Sequence, residues 1–126
     1  MNSKMRGIRG AIRVEANTKE HIFEATQSLL SKIIAANQVD LDDIASIFFT
    51  ATVDLNADYP AYAARDLGWS SVPLLCAREM DVPGGMSRVI RVLLHVNTDK
   101  SQTQIKHQYL GDTSRLRPDL TGGNQP

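Results

Sequence analysis

Along the stretch RVIRVLLHV, residues 88 to 96, the alternation of an extended chain separates Ile90, Val92, Leu94 and Val96 from Val89, Arg91, Leu93 and His95. One face is wholly aliphatic, and the other sets Arg91 between Val89 and Leu93. A guanidinium held among aliphatic neighbours needs an anionic or hydrogen-bonding partner, because an unpaired buried charge is costly. Read alone, Arg91 is explained by a structural ion pair or by an edge open to solvent. Three other segments offer comparable groups: Arg9, Arg65, and Arg117 in RLRPDL, close behind Tyr109. Each of these singly also reads as a solvated face or an ion pair. The rigid guanidinium fork donates two parallel hydrogen bonds to a planar carboxylate, so several arginines converging would suit a small dicarboxylate.

A second stretch, LLCAREMDVPGG, places the only cysteine, Cys76, three residues before Glu79. Either the thiol is a small buried hydrophobe, or two polar groups are aimed into a pocket. No neighbouring base activates Cys76 as a nucleophile. His21, His95 and His107 are scattered without ligand spacing, which argues against a metal. The PGG at residues 83 to 85 is a tight-turn signal outside the strand-then-helix setting of a phosphate loop, and nothing suggests a nucleotide.

The elements that must position these groups follow from periodicity. Ile8, Ile12 and Val14 mark a first strand with Arg9, Ala11 and Arg13 on its other face. Asn17 and Glu20 have capping-box spacing, and Ile22, Thr26, Leu29, Leu30 and Ile33 then recur at helical intervals, which predicts a helix over about 18 to 36. NQVDLDD breaks the pattern with room for one helical turn, and SIFFTATVDL reads as a buried strand. In DYPAYAARDLG, Asp58 as cap, Pro60 in the first turn and Gly68 after the end predict a second helix of about nine residues. SVPLLC, SRVIRVLLHVN (the longest) and HQYLG supply further strands, with a short helix boxed by Ser101 and Gln104. The alternation predicts an α/β layered domain.

The 126 residues suit one compact domain. A composition of 42% hydrophobic and 22% charged residues is that of an ordinary globular chain. Fourteen basic residues balance fourteen acidic ones, so no overall field draws in nucleic acid or an anionic membrane. A lone cysteine makes no internal disulfide, the N-terminus lacks a signal-peptide run, and no apolar stretch nears the roughly 20 residues that span a bilayer. An intracellular, cytoplasmic protein is expected.

Four segments in order, RGIRGAIRVE, ATVDLNADYPAYAARDLGW, VPLLCAREMDVPGGMSRVIRVLLHV and HQYLGDTSRLRPDL, cover nearly the whole chain. Together they resemble the monofunctional chorismate mutases of the AroH class. The resemblance implies a single domain over residues 1–120 and an α/β (α+β) pseudo-barrel subunit; the tail TGGNQP, 121–126, has no apolar anchor and is expected to be mobile. It further implies a homotrimer with active sites in the clefts between neighbours. The implied reaction is the intramolecular Claisen rearrangement of chorismate to prephenate in aromatic amino-acid biosynthesis, without cofactor, metal or covalent intermediate. The catalytic groups it assigns are Arg91, Arg9, Glu79, Cys76 and Tyr109. Tyr59, Ala61, Leu74 and Leu75 become a pocket wall, and Arg65, Leu116 and Arg117 the mouth and C-terminal segment. In these roles Arg91 meets the ether oxygen, Arg9 and Tyr109 the side-chain carboxylate, and Glu79 and Cys76 the ring hydroxyl. Arg117 would balance the ring carboxylate. The chain departs from the pattern at Tyr62, where a lysine is common, and in a loop one residue shorter before Trp69. Two rivals stand beside this reading: a RidA-like trimeric imine or enamine deaminase, and a non-catalytic anion-binding regulatory subunit.

Overall fold

The structure is a computed structural model that describes residues 3–116. Arg117 and the tail at 121–126 therefore lie outside the described residues. In chain order the elements are β1 (Lys4–Arg13), α1 (Lys19–Asn37), β2 (Ile44–Ala51), α2 (Pro60–Asp66), β3 (Leu74–Arg78), β4 (Val89–Thr98) and β5 (Gln108–Tyr109). Short 3-10 turns occupy Leu41–Asp43, Gln102–Gln104 and Gly111–Leu116.

The strands form one mixed sheet in the order β3-β2-β4-β1-β5. The two ten-residue strands, β1 and β4, pair antiparallel at its centre, so β4 shares with β1 the greatest length. β2 is antiparallel to β4, while β3 and β5 add parallel edges. Both helices lie on one face. This makes a two-layer, single-domain α+β arrangement, with the helices segregated to one side of the sheet.

Period two along the strands and period 3.6 along α1 make the core. Ile8 from β1, Ile47 and Phe49 from β2, and Val92, Leu94 and Val96 from β4 meet Leu29, Leu30 and Ile33 of α1. Ala61 and Ala64 of α2, with Trp69 and Val72 behind it, extend the same cluster. Each fully buried Leu, Ile or Phe side chain here contributes about 1.5–3 kcal/mol by leaving water.

The ends of the helices differ from the sequence reading. α1 is capped by Thr18, whose hydroxyl accepts from His21 N at 3.1 Å. Asn17 turns away from the helix to serve the loop before α2, accepting from Asn56 N and Ala57 N. Asp58 likewise accepts from the adjacent Tyr59 N, and α2 starts after Tyr59 without a side-chain cap and spans seven residues. In both cases a loop contact took the side chain that local spacing had placed on the helix. The box of Ser101 and Gln104 is formed as expected.

Gly10 is where helix and sheet approach most closely. A Cβ there would come within 2.9 Å of both the Gln108 carbonyl oxygen and Ile33 Cδ1. Gly10→Ala is expected to destabilise the fold by about 1–3 kcal/mol through overpacking, measured by urea unfolding. Unchanged stability would show that α1 yields at this contact.

Candidate active site

The sheet face away from the helices carries the polar groups, and register fixes their arrangement. Arg91 stands between Ala11 of β1 and Thr50 of β2, with Tyr109 beyond Ala11 and Ala77 beyond Thr50. One row along, Arg9 stands beside Leu93, followed by Phe48 and Leu75. Arg91, Arg9 and Tyr109 thus share one side of the sheet on neighbouring strands, about 4.8 Å apart per strand.

Glu79, just past β3, completes this group. Its backbone N–H donates to Ala51 O at 2.9 Å, which continues the β2–β3 ladder by one residue. Its Oε1 accepts a 2.6 Å hydrogen bond from Thr50 Oγ1 and lies 3.4 Å from Arg91 Nε. That last pair is an ion pair without hydrogen-bond geometry, since the buried Arg91 Nε makes no hydrogen bond among the described residues. A carboxylate fixed by Thr50 therefore holds Arg91 from its Nε side. The outer nitrogens of the fork are left for another acceptor.

Arg9 is held from behind. Its backbone N–H donates to His107 Nδ1 at 2.9 Å, so that ring nitrogen is the acceptor. Among the described residues no hydrogen bond or ion pair engages its guanidinium. The neighbouring Arg13 differs: it is tied to Ser87 and paired with Asp112 at 2.7 Å. Arg13 is a structural clamp on the last 3-10 turn.

The second set of expected residues lies elsewhere in the chain. Tyr59, Ala61 and Arg65 sit at and on α2, with Ala61 buried and Tyr59 60% exposed. The Arg65 guanidinium stacks over the Tyr62 ring at 5.1 Å, and Tyr62 meets Tyr59 edge to face at 5.2 Å. No hydrogen bond or ion pair joins Arg65, Tyr59 or Tyr62 to Arg9, Arg91 or Glu79 among the described residues. Leu74 packs on the core, whereas Leu75 is 59% exposed on the open face. Leu116, half-buried, ends the described chain beside a cleft it shares with Arg13, Ser87 and Arg115.

Cys76 belongs to this second neighbourhood. It pairs across the ladder with the core residue Phe49, and so points to the opposite side from Arg91 and Glu79. It lines an open cleft of about 490 Å³ with Thr52, Leu55, Tyr59, Pro60 and Arg78. Burial pushes the thiol above its ordinary pKa, with smaller opposing effects from a backbone hydrogen bond at Ala61 and the charge of Arg65. A raised folded pKa means that the stability Cys76 contributes is fully present below the thiol's ordinary value and is lost as pH rises through the raised one. Alkylation of Cys76 by iodoacetamide is expected to be slower at pH 8 than that of an unfolded-peptide cysteine. Equal rates would show that the thiol is ionised and exposed.

Sequence reasoning missed Thr50 and His107, the two side chains that fix Glu79 and Arg9. Thr50 had a signal: it is the polar residue within the apolar run IFFTA. Among the described residues no three His, Cys, Asp or Glu side chains gather to hold a metal. No described helix is long and apolar enough to cross a membrane.

The class of protein is a two-layer α+β domain whose bare sheet face presents guanidinium groups, the kind of surface that receives carboxylates. Residues 5–120 match the family described as chorismate mutase type I. The chain is 51% identical over 117 residues to "Chorismate mutase AroH" of Thermus thermophilus, covering 92% of this chain and 96% of that protein. It is 48% identical over 118 residues to the protein of the same name from Bacillus subtilis (strain 168), covering 93% of each. A solved chorismate mutase from Clostridium thermocellum superposes with a TM-score of 0.85 at 49% identity, covering 87% of this chain and 98% of that one. This chain belongs to the chorismate mutase type I family, and is an isomerase.

Proposed function

We propose that the chain isomerises chorismate to prephenate in a site built around Arg91, as a step of aromatic amino-acid biosynthesis. The observation that carries this reading is the guanidinium of Arg91, held at Nε by a carboxylate that Thr50 has already fixed. As the ether C–O bond of chorismate lengthens ahead of C–C formation, negative charge gathers on the ether oxygen. A cation already in place meets that charge without reorganising, so it favours the transition state over the ground state.

Arg9 and Tyr109, on the same face, would hold the side-chain carboxylate and keep the enolpyruvyl arm folded over the ring, which lowers the entropic part of the barrier. Glu79 has lone pairs left after Thr50 and Met80 N, enough to accept the ring hydroxyl proton. Cys76, on the opposite side of its own sheet from Glu79, would take the remaining contact to that hydroxyl from a neighbouring copy, through a neutral thiol. None of these groups forms a covalent bond, and no cofactor or metal enters the reading.

The working form would be a homotrimer of pseudo-barrel subunits. One chain keeps Arg9, Arg91, Glu79 and Tyr109 apart from the α2 group, and the open sheet face exposes Phe48 and Leu75. A neighbour packing on that face would bury those side chains and bring its own Tyr59, Ala61, Arg65, Leu74 and Leu75 to the cleft. Leu116 and Arg117 complete the set of ligand-binding residues in this reading, Arg117 balancing the charge of the ring carboxylate.

The test is direct. Purified protein is expected to consume chorismate and yield prephenate with EDTA present, followed by ultraviolet absorbance and by NMR of the product. Absence of prephenate, with rapid ammonia release from an imine substrate, would favour the deaminase.

A further inference from the structure

Tyr59, Tyr62 and Arg65 recur every third residue, the spacing that brings helical side chains onto one side of α2. The opposite side, Ala61 and Ala64, is buried in the core. The three form a stack: Tyr62 meets Tyr59 at 61° with centroids 5.2 Å apart, and the Arg65 guanidinium lies 5.1 Å from the Tyr62 centroid. Both rings are exposed, so packing in the core does not account for their arrangement. Among the described residues no hydrogen bond or ion pair holds the Arg65 head group, which leaves the ring as its anchor. Its charge is nevertheless felt at Cys76, on the wall of the cleft that Tyr59 lines.

We propose that Tyr62 is a positioning residue for Arg65. Braced by Tyr59, its ring carries the guanidinium on its face and keeps that cation by the cleft that Tyr59 lines, where it draws in a dicarboxylate substrate. A long exposed arginine without an anchor samples many rotamers, and its charge is spread over all of them. A cation seated on an aromatic face is confined by the ring quadrupole, and a charge confined near the mouth steers an anion better than a diffuse one. Tyr62 itself adds no charge and touches no reacting atom. The effect belongs to capture rather than to the chemical step, and the inference rests on the proposed function.

Two variants and two readouts test it. Tyr62→Leu removes the ring, and Tyr62→Phe keeps it without the hydroxyl. Tyr62→Leu is expected to raise KM for chorismate about two- to fivefold, the scale of an exposed cation–π contact, with kcat little changed. It is also expected to flatten the fall of kcat/KM with added salt, and Tyr62→Phe to restore both quantities. In carbon-resolved NMR spectra of the free enzyme, the Arg65 δ-methylene signals should be ring-shifted in the wild type and in Tyr62→Phe, and unshifted in Tyr62→Leu. An unchanged KM and salt response in Tyr62→Leu would overturn the proposal, as would a Tyr62→Phe variant that behaves like it. An enzyme inert toward chorismate would defeat the proposed function instead, and the NMR comparison would still decide whether Tyr62 holds Arg65.

Discussion

Arg91→Gln is expected to turn over chorismate about 100- to 1000-fold more slowly than the wild type, with the loss in kcat. That is the usual consequence of deleting one preorganised donor to a developing oxyanion, about 2.7–4 kcal/mol. Among the described residues Arg91 has no substitute for this role, since Arg9 lies one row away beside Leu93 and Arg13, one row away on the other side, is paired with Asp112. Arg91→Lys is not expected to restore the rate. A lysine supplies a point charge on a flexible stem and has no counterpart of the Nε that faces Glu79 at 3.4 Å. Stability should fall less than activity, because the pair is partly open to solvent, with side-chain exposures of 32% and 21%. Steady-state kinetics and thermal unfolding on the same preparation separate the two effects. A variant with wild-type kcat would remove Arg91 from the mechanism.

The second large effect concerns assembly. Phe48 stands on the open sheet face, 43% exposed, between Leu75 and Leu93 in the row that also holds Arg9. An apolar row of this kind on the uncovered side of a two-layer sheet is a surface that a second copy would bury. Phe48→Asp places a charge in its middle without entering the core, because the core-facing neighbours are Ile47 and Phe49. The wild type is expected to scatter light as three chains, and Phe48→Asp as one. Activity should drop by about two orders of magnitude or more, since an isolated chain keeps the two residue sets apart. Retained helical circular dichroism would show that the monomer is folded. A fully active monomer would place the whole site within one chain and end the shared-cleft reading.

The two experiments probe different links. Arg91→Gln leaves the binding surface in place and removes one charge. Phe48→Asp leaves every proposed catalytic side chain in place and removes the neighbour that would complete the cleft. Loss of activity in both, with assembly intact only in the first, is the pattern expected of a shared site.

The amino-acid sequence by itself determined the elements and the sidedness of the strands. Alternation in RGIRGAIR and RVIRVLLHV put Arg9 and Arg91 opposite aliphatic residues, and the structure places both on the open face. The helical interval from Ile22 to Ile33 likewise marked the buried stripe of α1. These features repeat over a few residues, so the chain carries them locally. The family too was legible, because four long segments match its pattern in order. Tertiary structure alone decided which distant groups meet. Thr50 and Glu79 are 29 residues apart and bond only because β3 runs parallel to β2 and the following backbone N–H closes onto Ala51. The family resemblance assigned Cys76 and Glu79 to one hydroxyl. Within one chain, the ladder turns Cys76 toward Phe49, while Glu79, three residues on and still bonded to β2 through Ala51 O, falls on the other side. A pairing register is set by the packing of a whole sheet, and a displacement of one residue exchanges its two faces. No short stretch contains that choice.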